Sequence, residues 1–331
     1  MEDFLKIIAQ YPTGVSAGVL EKLTRLSRPT LNRKLKSAVE QGLIIPVGNG
    51  AARVYRDADE LRQIRQYFET PYYERKVARF QEELLNYSPA LNSDALKHKA
   101  EARTLEKRDM VQFLVDFSCA SSILEGGTYS LLDTLALIEY GEKAEGKPLS
   151  DAFLVLNHKK AFEYLYDNLS LDSIYEVHKR LTDDHNIPEL KNAPHFLSEH
   201  QLGVIRNYEG ADVQIALSTY APPLRPGTGY VQTMLDRILE KSLAIDEPLE
   251  SAFYLLTRLP YLQPFMDGNK RTSRAMCNVP LLKAGLAPIS FIDFGKKDYI
   301  LSMLAFYELG NLQLAAKMFT RAYEKSCNRL K

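Results

Sequence analysis

The chain lacks a surplus of charge of either sign. Its 42 Lys and Arg residues are matched by 42 Asp and Glu, so its overall field argues neither for nor against nucleic acid, and only local patches can. Cysteine is scarce. Cys119, Cys277 and Cys327 are odd in number and far apart, and neither Cys-x-x-Cys nor His-x-x-x-His spacing occurs. A structural metal site is therefore not expected, and buried thiols in a reducing compartment are. Long apolar runs are missing too, since none approaches the ~20 residues that cross a bilayer. The opening MEDFLKIIAQ is acidic and amphipathic, unlike a signal peptide, so the expectation is a cytoplasmic protein. Gly-x4-Gly-Lys-Ser/Thr and Gly-x-Gly-x-x-Gly are both absent, which excludes a P-loop or a Rossmann phosphate site. Internal repeats and low-complexity tracts are lacking as well.

What is present is an ordinary globular composition, 45% hydrophobic and 25% charged over 331 residues, long enough for two or three domains. The first segment, 1–58, is a small α+β unit. Phe4, Leu5, Ile7 and Ile8 fall at helical spacing, and Pro12 and Gly14 end that helix. A second helix at about 17–25 turns Val19, Leu20 and Leu23 inward. Ser27 caps a third over 28–41, with Pro29 in its first turn. Gly42 closes it, and LIIPVGNGAARVY reads as two strands around Gly48-Asn49-Gly50. Three helices and a hairpin resemble a winged helix-turn-helix. Between Arg25 and Arg56 seven basic residues face a single acid, Glu40. Arg28, Arg33, Lys34, Lys36 and Arg53 stand where phosphates of duplex DNA would be met. Such units also serve as protein-interaction or dimerisation modules, which makes a homodimer the alternative use.

Residues 59–105 read as a helical connector interrupted by Pro71, with a loop at 86–96 and Val77, Phe80, Leu84 and Leu85 on one helical face. From 106 to 331 helical periodicity dominates, with helices at about 106–124, 130–141, 151–167, 171–182, 229–243, 249–259, 269–284, 296–309 and 311–327. Residues 203–217, GVIRNYEGADVQIAL, alternate around Glu209-Gly210 and read as a β-hairpin, followed by the extended YAPPLRPGTG. The fold class is thus mainly α, with one hairpin flap and a small α+β unit in front.

The chemistry concentrates in QPFMDGNKRTSR, Gln263 to Arg274. A helix ending near Pro260 precedes it, and a new helix starts at Asn269. Free N–H groups and the positive dipole end at such a start favour an anion. Gly268 lets the backbone approach a ligand closely. Arg271 and Arg274, three apart, project from one helix face and can clamp successive phosphates. Asp267 supplies a hard oxygen suited to Mg²⁺ bridging phosphates. Phe265 anchors the loop in the core.

Phe265 to Arg274 resemble the Fic family motif, His-x-Phe-x-Asp/Glu-Gly-Asn-Gly/Lys-Arg-x-x-Arg, departing only at its first position. SSILEGG (121–127) resembles that family's inhibitory motif, Ser/Thr-x-x-x-Glu-Gly/Asn. LVLNHKKAFEYL and LSLDSIYEVHKRL resemble the two helices that follow it, and the 203–217 hairpin falls where the family carries its target-docking flap. The resemblance covers about 120–310. It implies transfer of AMP from ATP to a hydroxyl side chain of a target protein, with ATP and Mg²⁺ as cofactors. Carried over, Asp267 would hold the metal, while Gly268, Asn269, Lys270 and Arg271 would bind phosphates. Arg274 would take the γ-phosphate, and Glu125, within the 121–126 segment that begins at Ser121, would pair with Arg274 and inhibit.

The departure is Gln263. The family's histidine takes the proton of the attacking hydroxyl, whereas a neutral amide has no pKa near 7 and cannot. General-base help is worth about 10²–10⁴-fold, so the expected site binds nucleotide and transfers slowly; the plainer role for Gln263 is an amide bracing the loop. Lys270, where glycine is commoner, resembles the Doc branch, which transfers phosphate, but Arg274 with Glu125 favours AMP transfer. His178 reads as a structural histidine on a core-facing helix. His195 and His200, at the hairpin entrance, are the candidates for a substitute base. The competing readings are a DNA-binding regulator with a nucleotide-sensing body and a Doc-like phosphotransferase.

Overall fold

The computed structural model describes residues 2–11, 13–92, 107–192 and 196–330. It divides into two compact units, Met1–Val77 with Leu217–Thr219, and Ala78–Ala216 with Tyr220–Lys331.

In the first unit α1 (Glu2–Ala9) buries Phe4, Leu5 and Ile8, residues one helical turn apart or adjacent on one stripe. β1 (Val15–Ser16) leads into α2 (Ala17–Thr24), where the Ser16 hydroxyl accepts from the Val19 N–H at 3.3 Å and caps the helix. α3 (Arg28–Glu40) turns Leu31, Leu35 and Ala38 to the same core. β2 (Ile44–Val47) and β3 (Val54–Asp57) pair antiparallel, and β1 joins β3 on its other side, giving the order β1-β3-β2. Gly14 is required before β1: its φ is +98°, and a Cβ there would lie 2.5 Å from Val54 Cγ2. α4 (Glu60–Glu69), capped by the Asp59 carboxylate, packs on α1 and β3, and Arg62 pairs with the buried Asp57 at 2.8 Å. The compact unit therefore includes α4 and runs on to Val77.

The helical face expected for Val77, Phe80, Leu84 and Leu85 is not formed. Val77 is exposed, β4 (Ala78–Arg79) pairs parallel with β5 (Tyr220–Ala221), and residues 82–85 make only a 3-10 turn. Strand pairing, the Gln81 N–H bond to the Tyr261 hydroxyl at 2.8 Å and stacking of Phe80 on Tyr261 hold this stretch extended instead. The expected loop at 86–96 is described only as far as Asn92; the rest of it lies outside the described residues.

The second unit is mainly helical. α5 (Lys107–Glu125) packs on α6 (Leu131–Tyr140) and α7 (Leu149–Asp167), and α7 on α8 (Ile174–Thr182). Phe113, Phe117 and Phe162 fill the α5–α7 interface. At the centre runs α10 (Pro248–Leu262), buried from Leu249 onward. Around it lie α9 (Tyr230–Leu243), α11 (Asn269–Met276), α12 (Asn278–Lys283), α13 (Lys296–Leu309) and α14 (Gln313–Arg329). Pro260 does not end α10 as its sequence suggests. The helix continues to Leu262, because burial on all sides outweighs one lost N–H and a ring clash of ~3 kcal/mol.

The hairpin expected at 203–217 is a turn without a ladder. The Ala211 N–H bonds the Tyr208 carbonyl, but no strand is formed on either side. The reason is Arg206. Its side chain is buried, with Nη1 donating to the Ala211 carbonyl at 2.8 Å and Nη2 to Pro223 at 3.0 Å, while its backbone N–H goes to Pro264. Groups that a ladder would pair are committed elsewhere. No helix of the described residues is long and apolar enough to cross a membrane, and the three cysteines are buried thiols outside any disulfide.

Candidate phosphate site

The loop between α10 and α11 is shaped by two left-handed residues, Gln263 at φ +51° and Gly268 at φ +72°. At Gly268 any Cβ would lie 2.4 Å from Thr182 Cγ2, so α8 touches the loop where only glycine fits. Phe265 is buried beneath the loop and stacks on the His178 ring, centroids 3.8 Å apart. His178 is fixed in one tautomer: its Nδ1 accepts from the Gly203 N–H at 2.9 Å, so its Nε2–H donates to the Asp267 carbonyl at 3.0 Å. Burial pushes its pKa down to about 4 against the raising effect of that carbonyl, and it stays neutral. The expected structural histidine is thus also the tie joining residue 203, α8 and the loop.

Gln263 is committed to the loop. Its Nε2 donates to the Pro260 carbonyl at 2.7 Å, and its Oε1 accepts from Asn269 Nδ2 at 2.8 Å. Its backbone carbonyl accepts from Arg206 Nε at 2.6 Å. Asn269 is equally occupied: its Oδ1 accepts from the Phe265 N–H, and its amide donates to the Phe265 carbonyl and to Gln263. With those donors spent inside the loop, the groups left to face an anion are the N–H groups of Asn269, Lys270 and Arg271 in the first turn of α11.

Arg271 and Arg274 do not stand side by side as their spacing suggests. Arg271 turns to α8, donating to the Leu181 carbonyl at 2.9 Å and to Asp267 Oδ2 at 2.6 Å. It therefore braces Asp267, whose side chain is 40% exposed. Arg274, with no exposed surface, turns to α5. Its Nη2 meets Glu125 Oε1 at 2.6 Å, its Nε donates to Ser121 Oγ at 2.8 Å, and its Nη1 donates to the Tyr299 hydroxyl at 3.2 Å. Lys270, one turn before Arg274, comes within 3.9 Å of Glu125 Oε2. Burial alone would raise the Glu125 pKa; the charges of Arg274, Lys270 and Arg271 outweigh it and bring it to about 2. Glu125 is the last residue of α5, and Gly126 at φ +110° turns the chain away after it.

Ser121 thus lies in contact with Arg274. Behind it is a residue that sequence reasoning passed over: His158, fully buried on α7, whose Nε2 lies 2.7 Å from Ser121 Oγ. Tyr299 and Arg206 were missed as well. No spacing rule links residues 121, 158, 274 and 299, although an isolated histidine in an apolar helix such as LVLNHKKAF is a signal that a buried partner exists. Of the candidate substitute bases, His200 is exposed on a 3-10 turn at Glu199–Gln201, and His195 lies outside the described residues.

On the first unit Arg28, Arg33, Lys36 and Arg53 are exposed. Arg28 spends part of its charge on Glu21 at 2.9 Å, and half-buried Lys34 lies 5.9 Å from the Phe4 ring centre.

Three kinds of likeness bear on this geometry. The Fic/DOC family model matches residues 168–281. The protein adenylyltransferase Fic of Nematostella vectensis is 28% identical over 187 residues, 54% of this chain and 40% of that protein. The protein adenylyltransferase fic-1 of Caenorhabditis elegans is 28% identical over 219 residues, 62% of this chain and 39% of that protein. The chain thus spans about 40% of the length of these curated relatives. In three dimensions, Fic-1 (residues 134–508) of C. elegans aligns with a TM-score of 0.53 at 21% identity, over 99% of this chain and 80% of that one. A Fic domain containing signaling protein from Bacteroides thetaiotaomicron aligns with a TM-score of 0.51 at 19% identity, over 76% and 94%. At such identities the structural likeness is one of fold. The loop, the helix start and the family match coincide, and the chain carries a Fic/DOC family domain at residues 168–281.

Proposed function

We propose that this protein binds ATP in the α10–α11 loop and transfers AMP slowly to a hydroxyl side chain of a target protein, with Glu125 holding the site closed. The observation that carries the reading is the Arg274–Glu125 pair: a carboxylate sits at 2.6 Å on the guanidinium that a terminal phosphate would need. The N–H groups opening α11 receive phosphate oxygens, Arg271 holds Asp267 in place, and Lys270 adds charge beside Arg274. The residues fit Mg²⁺ only together with a nucleotide. Asp267 offers one half-exposed carboxylate, no cluster of three or more His, Cys, Asp or Glu ligands occurs among the described residues, and Mg²⁺ is commonly held by one or two carboxylates plus phosphates. Bound there, it would neutralise phosphate charge.

Gln263 sits at the position of the family's base with both ends of its amide committed to the loop. It can neither take a proton from an attacking hydroxyl nor turn freely toward one, which makes transfer slow rather than binding weak. Calorimetry with ATP and Mg²⁺ on wild type and Glu125→Gly tests the reading: removing the carboxylate should tighten ATP binding about tenfold or more. Equal affinities would overturn it. The mass added to a modified target separates AMP transfer from the Doc-like transfer of phosphate.

A second reading concerns the first unit, whose exposed Arg28, Arg33 and Lys36 on α3 and Arg53 beside the β2–β3 connection suit the phosphates of duplex DNA in the manner of a winged helix. Salt-dependent binding to a DNA duplex, weakened in Arg33→Ala/Lys36→Ala, would support it; binding indifferent to both salt and substitution would not.

A further inference from the structure

Behind the Arg274 contact with Glu125, a buried polar chain continues through Ser121 to His158, and none of its links requires solvent. Arg274 Nε lies 2.8 Å from Ser121 Oγ, Ser121 Oγ lies 2.7 Å from His158 Nε2, and His158 Nδ1 lies 2.7 Å from the Leu154 carbonyl. Ser122 Oγ stands farther from the same ring, at 3.4 Å from Nδ1. Ser121, His158 and Arg274 have no exposed surface. The three residues come from α5, α7 and α11.

We propose that His158 is a positioning residue of the phosphate site. By accepting the single Ser121 hydroxyl proton at Nε2, it turns the Ser121 lone pairs to Arg274 and fixes the guanidinium that meets Glu125 when the site is closed and a terminal phosphate when it is open. The inference rests on the reading that Arg274 serves a terminal phosphate.

The proton directions follow from the chemistry of each group. A guanidinium Nε only donates, so Ser121 Oγ is the acceptor there. The Leu154 carbonyl only accepts, so His158 Nδ1 carries the ring proton and Nε2 is bare. The Ser121 hydroxyl proton is left for Nε2, so Arg274 Nε, the Ser121 hydroxyl, both His158 nitrogens and the Leu154 carbonyl each have a partner. The environment agrees. Burial, reinforced by the Arg274 charge, pushes the His158 pKa down to about 3, so the ring remains a neutral acceptor at ordinary pH. Complete burial also excludes the other use of a Ser–His pair, since no substrate could reach the hydroxyl.

The consequence is a division of labour at Arg274. Glu125 is a removable contact at the end of α5, partly open to solvent. Ser121 and Tyr299 are the contacts that stay when Glu125 leaves, and Ser121 is aimed by His158. Arg274 is therefore held in place before nucleotide arrives, so its orientation need not be fixed at the expense of binding.

The test uses the full chain in the Glu125→Gly background and compares ATP with ADP by calorimetry. A loss at the terminal phosphate alone separates positioning of Arg274 from general damage. His158→Leu should weaken ATP about tenfold while changing ADP by less than about twofold. His158→Gln, whose side-chain oxygen can accept from Ser121, should restore most of the difference. Ser121→Ala should match His158→Leu, and the double variant should add little. Equal losses of ATP and ADP, a glutamine no better than leucine, or additive effects would each overturn the proposal. If Glu125→Gly binds no ATP, the nucleotide reading itself has failed. His158 is then decided on the nucleotide-free wild-type background by NMR. Exchange of the Arg274 Nε proton should quicken about tenfold in His158→Leu and not in His158→Gln. Unchanged exchange in His158→Leu would reject the positioning role.

Discussion

The Gln263 and Arg274 ends of the motif are both shut, and by different physics. At the first, two side-chain amides and two carbonyls interlock: Gln263 with Asn269, Gln263 with Pro260, Asn269 with Phe265. All partners are neutral and buried, so opening any one leaves an unsatisfied group at a cost of about 1–3 kcal/mol. At the second, an ion pair joins a fully buried cation to a carboxylate that is 21% exposed. Such a pair is costly to break by removing one partner, yet an incoming anion can replace the carboxylate charge for charge. The neutral end is a brace and the charged end is a latch. On the proposed reading only the latch has a competitor, the terminal phosphate of ATP.

The comparison is sharpened most by giving the brace a base. In Glu125→Gly, the further change Gln263→His should raise AMP transfer to a target about 10²–10⁴-fold with ATP affinity nearly unchanged, followed with labelled ATP. Transfer already fast with Gln263, and unmoved by histidine, would show that the amide is not the limit. Breaking the latch from its cationic side comes next. Arg274→Leu strands Glu125 and should cost roughly 3 kcal/mol in denaturant unfolding, with much of it recovered in Arg274→Leu/Glu125→Leu. A double variant no more stable than Arg274→Leu would mean that the Ser121 and Tyr299 contacts, not the pair, hold this end.

Much of the brace and half of the latch are legible in the sequence. Gly268, the start of α11 and the phosphate-suited residues lie within one short stretch, where local chemistry decides geometry. Glu125 is reachable only through the family resemblance, because nothing local ties residue 125 to residue 274. His158, Tyr299 and Arg206 are illegible for the same reason: each acquires its role from helices far away in the chain. Arg206 also explains the misread hairpin. Alternation at 203–217 mimics a strand pattern, but a buried guanidinium collects carbonyls there and no ladder forms. Pro260 misleads in the opposite direction, a local helix stop overruled by the burial of all of α10. The exposed basic residues of α3 are legible in the sequence, since they need no group from a distant part of the chain: Arg28 and Lys36 pair only with nearby Glu21 and Glu40.

A smaller effect probes the hinge on which the brace turns. Gly268→Ala places a methyl 2.4 Å from Thr182 Cγ2 at a left-handed φ of +72°, and should cost about 1–3 kcal/mol in unfolding free energy. Thr182→Ser removes the opposing methyl while keeping the hydroxyl that bonds the His178 carbonyl. It should return part of the loss, leaving the φ penalty of about 1 kcal/mol. Full recovery would mean that backbone strain is negligible there.

The mildest perturbation is acid, which leaves the molecule unchanged near neutral pH and then reaches the latch in two windows. His158 is held below its ordinary 6.5, at about 3, so between these values the unfolded chain binds the extra proton and stability falls as pH falls. Glu125 is held below 4.5, at about 2. The signs agree, because here too the unfolded state is the better proton acceptor, and this contribution is complete above pH 4.5 and lost toward 2. Tm should therefore carry no slope from these groups above pH 6.5, decline below it, and decline more steeply below 4.5. Glu125→Gln should remove only the added steepness below pH 4.5, and His158→Gln the decline that runs from 6.5 down to about 3. A Glu125→Gln protein that keeps its full slope below pH 4.5 would show that the carboxylate does not depend on Arg274 for its charge, and the latch would then be a contact without an electrostatic hold.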